Sequence, residues 1–283
     1  MRNIGIMQGR LTEPKDRGIQ FFPFENWKNE FKVAKELGLQ EIEWIFDYEN
    51  YMSNPLWSEE GCEQILEAIK ETNIQVRSIC WDYFMRRPFF KEKEGEREKR
   101  YKENVDIFKR VMMNASKLGA HLIEIPLVDD SSIAGEEERT LVIQYIQVLA
   151  GECEKKNMAI GLETDLPAPD FRKLLLEINC CNVWANYDSG NSSGLGYNHE
   201  EELQSLNSSV YNVHIKDRKK GGTTMPLGSG SADFDSVFLN LKKIGYQGSF
   251  ILQAARGEDG TEKSNIEKQV QFVKQYLKKY EIE

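Results

Sequence analysis

The sequence predicts a (β/α)₈ TIM barrel, an α/β fold. Short β-rich runs alternate with longer charged stretches of helical periodicity, the order expected of βαβ units around a parallel sheet. Several of the helical stretches close on glycine a few residues before the next run. The last four runs each bring one oxygen- or nitrogen-bearing side chain to their ends: Glu163, Asp188, His214 and Gln253. Functional groups of such a barrel come from the C-terminal ends of several strands, so residues far apart in sequence converge in space.

Eight runs satisfy the pattern. Asn3 to Gln8 opens the chain, within an N-terminal MRNIGIMQGRL that holds no long apolar stretch. Glu41 to Phe46 follows Lys35-Glu-Leu-Gly38, whose glycine can take the left-handed conformation that closes a helix. Gln75 to Trp81 is third, and His121 to Pro126 follows a second such stop, Ser116-Lys-Leu-Gly119. Met158 to Thr164 contains Ile160-Gly-Leu-Glu163-Thr, an apolar strand ending in a carboxylate, and Val183 to Asp188 ends in another. Val210 to Lys216 puts an imidazole, His214, inside a strand. Ser249 to Gln253, preceded by Lys242-Lys-Ile-Gly245, completes the set.

The connections are uneven. Asp82 to Arg100 is long and highly charged, and Ser189 to Glu202 and Asp217 to Asp235 are rich in Gly, Ser and Asn. Loops after strands lie over the mouth of a barrel, so these three are expected to cover substrate. Residues 91–100 read as a solvated helix face. The aromatic run Gln20-Phe-Phe-Pro-Phe-Glu-Asn-Trp27, beside Trp44, Trp57 and Trp81, is expected to pack a loop against the barrel rim, since aromatic rings bury large areas without a ligand.

At 283 residues with no linker or composition break, the chain reads as a single domain, 1–283. A formal charge of −9 disfavours nucleic-acid binding. Five cysteines without CxxC spacing indicate neither a disulfide framework nor a zinc knuckle, and fit a reducing cytoplasm. No run approaches the roughly 18 apolar residues of a membrane span, so no membrane partner is expected.

An acid at a strand end also serves as a helix N-cap, and a strand histidine also serves as a hydrogen-bonded core residue. On consecutive strands, however, two carboxylates, one imidazole and one carboxamide make a mostly oxygen site for one divalent ion, suited to Mn²⁺, Mg²⁺ or Co²⁺, with Zn²⁺ allowed. Asp82 just after the third strand is read as either a catalytic group or a turn cap. Glu43 is read as either a site residue or half of an interior salt bridge, and Glu124 is a further carboxylate that could face the mouth. Among the arginines, Arg10, Arg86, Arg87 and Arg218 are the groups available for an anion.

The strings Gly161-Leu-Glu163, Asp188-Ser-Gly-Asn191, Val213-His214-Ile-Lys-Asp217-Arg218, Pro226-Leu-Gly-Ser-Gly230-Ser-Ala-Asp-Phe234 and Gly245-Tyr-Gln-Gly-Ser-Phe-Ile-Leu resemble the xylose-isomerase-like TIM barrels, the group of sugar phosphate isomerases and epimerases. The likeness extends to Gly5-Ile-Met-Gln-Gly-Arg10-Leu and Gly38-Leu-Gln-Glu-Ile-Glu43. The resemblance implies a divalent metal held by Glu163, Asp188, His214 and the residue at position 253, with a carbohydrate's adjacent oxygens on the ion. It also implies substrate contacts among Asn191, Lys216, Asp217 and Arg218. From the residues themselves, Glu163 and Asp82 are taken as the catalytic candidates and Glu43 and Arg10 as further substrate contacts, and a homo-oligomer is compatible with the whole.

One residue departs from the pattern. Family members that epimerise generally place a second glutamate where this chain has Gln253, and an amide has no useful basicity near neutral pH. Aldose–ketose isomerisation moves a proton between neighbouring carbons on one face of an enediol, which Glu163 can do alone, so isomerisation is favoured over epimerisation. A metal-dependent lyase of the inosose or dehydroshikimate dehydratase type and a non-catalytic sugar-binding barrel are the alternatives. A multi-zinc nuclease resembling endonuclease IV is disfavoured by a histidine count of 3.

Overall fold

The computed structural model describes residues 2–15 and 18–282. Each of the runs contains a strand: β1 (Ile4–Met7), β2 (Glu41–Ile45), β3 (Ser78–Cys80), β4 (Leu122–Leu127), β5 (Ala159–Thr164), β6 (Val183–Asp188), β7 (Val210–Ile215) and β10 (Phe250–Leu252). They close a barrel in the order β1-β10-β7-β6-β5-β4-β3-β2, and every pairing is parallel. Between β7 and β10, β8 (Asp217–Arg218) and β9 (Thr224–Met225) form a small antiparallel hairpin.

The strands are nearly continuous apolar runs because parallel strands in such a barrel are covered on both faces. Residues such as Ile4, Ile6, Ile42, Ile123 and Leu162 pack outward into the main core beneath the helices. Met7, Ile45, Cys80 and Ile251 instead form a separate small apolar cluster. The glycine stops behave as the sequence predicts: Gly38, Gly119 and Gly245 have φ of 70°, 84° and 69°, the left-handed region in which a Cβ is strained.

The aromatic run after β1 packs as expected, with Phe22 5.2 Å and Trp27 5.4 Å from the ring of Trp44. The segment Asp82 to Arg100, expected as a connection over the mouth with a solvated helix face at 91–100, holds a helix over Asp82–Arg86, a turn over Phe89–Lys91 and a helix that begins at Glu94, the last as expected. Charge density hides its anchors. Phe84, Phe89 and Phe90 are buried, and Phe84 stacks on Tyr145 at 5.2 Å. Ser189 to Glu202 is likewise helical, with helices at Ser189–Leu195 and His199–Leu206. Among the described residues no helix is long and apolar enough to cross a membrane.

Candidate active site

Side chains alternate in direction along a strand, so every second residue of β5, β6 and β7 faces the barrel interior. That alternation brings Glu163, Asp188 and His214 together. Each offers one ligand atom, these atoms lie within 4.8 Å of one another, and all three residues are buried. Asp188 and His214 are register partners across β6 and β7. Gln253, one residue beyond β10, is tied to β7 by a 3.0 Å backbone bond from its N–H to the Ile215 carbonyl.

The imidazole is held from both sides. His214 Nε2 lies 2.6 Å from Glu43 Oε1, while Nδ1 faces Glu163 Oε2 at 3.1 Å and Asp188 Oδ2 at 4.0 Å. Asn212 donates to Glu43 Oε2 at 3.0 Å and to Asn186 Oδ1 at 2.8 Å, and Asn186 donates to Glu163 Oε2 at 2.7 Å. Asn191 donates to the other oxygen, Glu163 Oε1. Charged groups in so enclosed a place persist only when paired and hydrogen-bonded. Burial alone would lower the His214 pKa, but the charges and hydrogen bonds of Glu43 and Glu163 hold it well above its usual value. Burial alone would raise Glu163, yet His214 and Lys216 keep it below the ordinary carboxylate range. The same balance, set by burial against His214, leaves Glu43 lowered.

Asp188 serves as cap and cluster member at once. Its Oδ1 accepts backbone N–H bonds from Gly190 at 2.7 Å and Asn191 at 2.8 Å, capping the helix Ser189–Leu195. Its Oδ2 remains for the cluster and meets Lys216 Nζ at 3.5 Å.

A chain of amides orients Gln253. Its Nε2 donates to Gln20 Oε1 at 3.2 Å, and Gln20 Nε2 donates to Asp82 Oδ1 at 3.0 Å. A carboxylate only accepts. The Gln20 NH₂ is therefore fixed on Asp82, its oxygen faces the Gln253 NH₂, and the Gln253 oxygen is turned to Lys216 Nζ, 3.2 Å away. Gln20 was expected only as part of an aromatic packing segment, and the apolar neighbours in that segment mask its reach.

A cavity of about 460 Å³ opens over this cluster, lined among others by Asp82, Glu124, Glu163, Lys216, Arg218 and Gln253. Burial first, opposed by Gln20 and Arg86, pushes the Asp82 carboxyl up to about 6. Glu124, beside Cys80, is pushed well above its usual value by burial and then by Glu163. A larger cavity, about 670 Å³, lies at the opposite end of the barrel around Glu41, Arg77 and His121. Barrel chemistry sits at the C-terminal face, where the smaller cavity is.

Of the expected substrate contacts, Asn191, Lys216 and Arg218 line the cavity, and three others lie elsewhere. Glu43 is 0 % exposed and sits behind His214. Asp217 points away from the cavity, where its carboxylate accepts backbone N–H bonds from Gly228 at 2.9 Å, Gly230 at 2.8 Å and Ala232 at 3.0 Å and so anchors the loop after β9. Alternation accounts for this, since Asp217 falls between the inward positions 216 and 218. Arg10 is buried, donates to the backbone carbonyls of Ile19 and Gln253, and is lowered to about 9 by burial and by Arg256. Arg86 pairs with Asp130 at 3.5 Å on the surface.

Comparison with known proteins gives the following. Residues 31–276 match the family described as Xylose isomerase-like TIM barrel. The L-ribulose-5-phosphate 3-epimerase UlaE of Salmonella heidelberg is 26% identical over 243 residues, which cover 81% of this chain and 82% of that protein. Among solved structures, the IOLI protein with a bound zinc atom is 18% identical with a TM-score of 0.77, covering 99% of both chains. A D-allulose 3-epimerase from Methylomonas sp. in complex with D-allulose is 16% identical with a TM-score of 0.74, covering 97% of both.

Proposed function

The chain belongs to the xylose isomerase-like TIM barrel family, and from that premise we propose that it is a metal-dependent isomerase or epimerase of a sugar, sugar phosphate or related polyol, with Glu163 as its base and residues 1–283 as one catalytic domain. The observation that carries the reading is the convergence of Glu163, Asp188 and His214 within 4.8 Å.

The residues fit a divalent ion. Two carboxylates and one imidazole supply the donors, and the Gln253 oxygen faces the same space. Glu43 on the far nitrogen of His214 is the outer partner that a ligating histidine ordinarily has, fixing the ring and its tautomer. A bound ion there supplies electrophilic polarisation of a substrate carbonyl. Mn²⁺, Mg²⁺ and Co²⁺ suit the oxygen-rich set, and the zinc of the IOLI structure supports that ion as well.

The rest follows from side chains. Glu163, ionised by its neighbours, removes a proton from the carbon beside the carbonyl, and the C–H electron pair becomes the double bond of an enediol. Returned to the neighbouring carbon on the same face, that proton completes an aldose–ketose isomerisation as the hydroxyl proton passes between the two adjacent oxygens. Asn186 and Asn191 hold the two carboxylate oxygens of Glu163 throughout. Gln253, being an amide, orients and does not exchange protons.

A second reading, epimerisation, draws on Asp82. Its carboxyl lines the same cavity and is pushed up to about 6, near the value useful to an acid–base group at neutral pH. The relative UlaE, an epimerase by name, supports it.

The discriminating experiment incubates the Mn²⁺-loaded protein with ketoses, aldoses and their phosphates in D₂O. The expected product has a shifted carbonyl, with deuterium on the adjacent carbon wherever the proton held on Glu163 exchanges with D₂O before its return, and Gln253→Glu gains or raises inversion of a stereocentre. Should wild type invert a stereocentre at a rate that Gln253→Glu does not exceed and that Asp82→Asn lowers about 10²-fold or more, Asp82 is the second acid–base group and the isomerase preference falls. No turnover on either route would turn attention to loss of water from a polyol.

A further inference from the structure

The cavity rim holds two cations, Lys216, which reaches Asp188 Oδ2 at 3.5 Å, and Arg218, whose hydrogen bonds among the described residues go to uncharged groups alone. Lys216, Arg218 and Lys220 are alternate residues running from β7 into the hairpin, and they lie against the glycines of the helix Ser189–Leu195 and its C-cap. A Cβ at Gly190 would stand 2.4 Å from Lys216 Cγ, one at Gly194 would stand 3.1 Å from Arg218 Nε, and one at Gly196 would stand 2.4 Å from Lys220 Cε. Gly196 also closes the helix at φ 80°. Gly190 and Gly194 have no such backbone reason, and each weakens a helix by about 1 kcal/mol relative to alanine. Clearance for the two cationic stems explains both.

The head groups are equally specific. Arg218 Nη1 donates to Asn191 Oδ1 at 3.1 Å, and its Nε and Nη2 donate to the Gly222 carbonyl at 3.3 and 3.1 Å. All of these partners are neutral. Lys216 Nζ donates to the same Asn191 oxygen at 3.1 Å, so ammonium and guanidinium share one uncharged acceptor. In a chain of formal charge −9 carboxylates are plentiful, yet the hydrogen bonds of this guanidinium among the described residues reach none of them. Both side chains line the cavity together with Thr224. Asn191, whose other atom donates to Glu163, places Arg218 one amide's width from the proposed base.

We propose that Arg218, aided by Lys216 and Thr224 and seated by Gly190 and Gly194, receives the phosphoryl group of a phosphorylated sugar while the reacting carbon lies at Glu163. This rests on the reading of the Glu163 cluster as the catalytic centre. A phosphoryl group offers several oxygens in the geometry of a guanidinium's flat donor fork, with the Lys216 ammonium beside it, which suits Arg218 as the cation bonded only to neutral groups.

The test has two arms on metal-loaded protein. In the first, inorganic phosphate is titrated into wild type, Arg218→Gln and Gly194→Ala, with acetate at equal ionic strength as the control. Phosphate is expected to bind wild type and to bind each variant about 10- to 100-fold more weakly, the range for a hydrogen bond to a charged group, with acetate much weaker throughout. In the second, kcat/KM is compared for ketose phosphates and the same ketoses unphosphorylated. Wild type is expected to prefer the phosphates, with the preference falling by a similar factor in Arg218→Gln and appearing in KM. Phosphate binding of equal strength in Arg218→Gln, or acetate binding as well as phosphate, overturns the subsite, as does a substrate preference that survives the substitution. Phosphate binding that depends on Arg218 without turnover of any sugar supports the subsite and removes the catalytic reading, so the two failures are distinct.

Discussion

Glu163→Gln is expected to lower kcat by about 10²- to 10⁴-fold, the span that a positioned general base contributes, while the barrel still folds and a divalent ion still binds. The amide keeps the shape of the side chain and one oxygen, but it cannot take a proton. It also brings an NH₂ against a donor. Asn186 and Asn191 both point NH₂ groups at Glu163, and neither can turn over freely, because Asn212 donates to Asn186 Oδ1 and Lys216 and Arg218 donate to Asn191 Oδ1. A stability loss of about 1–3 kcal/mol, the penalty for an unsatisfied buried polar group, should therefore accompany the kinetic one. Substrate C–H exchange in D₂O, followed beside metal content and thermal unfolding, separates the two effects. Exchange at the wild-type rate would assign the base elsewhere, with Asp82 the next carboxylate in the cavity.

His214→Ala should have the larger effect on the metal. Loss of an outer partner typically weakens a metal site about 10- to 100-fold, which is the expectation for Glu43→Gln. Removing His214 takes away a donor outright and strands Glu43 as a buried carboxylate whose cation has gone, so affinity should fall further and stability by roughly 3–5 kcal/mol. The sign of the pH dependence follows from the imidazole. Without metal, the His214 pKa is held well above its usual value by Glu43 and Glu163 against the effect of burial, and an ion must displace the proton on Nδ1. Affinity of the wild type should therefore rise with pH through and above the ordinary imidazole range, by up to about one log unit per pH unit, and a titration across that range in wild type and His214→Ala measures it. A flat profile in wild type would take His214 out of the ligand set.

Much of the barrel was legible because parallel strands covered on both faces leave apolar runs, and because glycine stops such as Gly38, Gly119 and Gly245 mark the helix ends. Asp82 to Arg100 was less legible, since its charges outnumber the buried phenylalanines that order it. In the site, Glu163, Asp188 and His214 stood out as metal-ligating side chains at or near the ends of largely apolar strands. What they rest on did not, although the period of two carries part of it: Asn186 and Asn212 stand two residues before Asp188 and His214 and share their inward face. The same period retains Lys216 and Arg218 and sets Asp217 aside. Glu43 meets a histidine 171 residues away, and the contact of Gln20 with Asp82 and Gln253 depends on where a loop is draped; neither pairing has a local signature.

These strand ends are proposed to hold one divalent ion. In the structure Lys216 Nζ stands 3.5 Å from Asp188 Oδ2 and 3.2 Å from Gln253 Oε1, so an ion bound by those oxygens competes with the ammonium for them. Anomalous scattering from crystals grown with Mn²⁺ reads the outcome directly. One strong peak is expected, bonded to Glu163, Asp188, His214 Nδ1 and the Gln253 oxygen, with Lys216 withdrawn toward the phosphoryl side of the cavity. A map with no peak there, and with Lys216 still bridging Asp188 and Gln253, would contradict it.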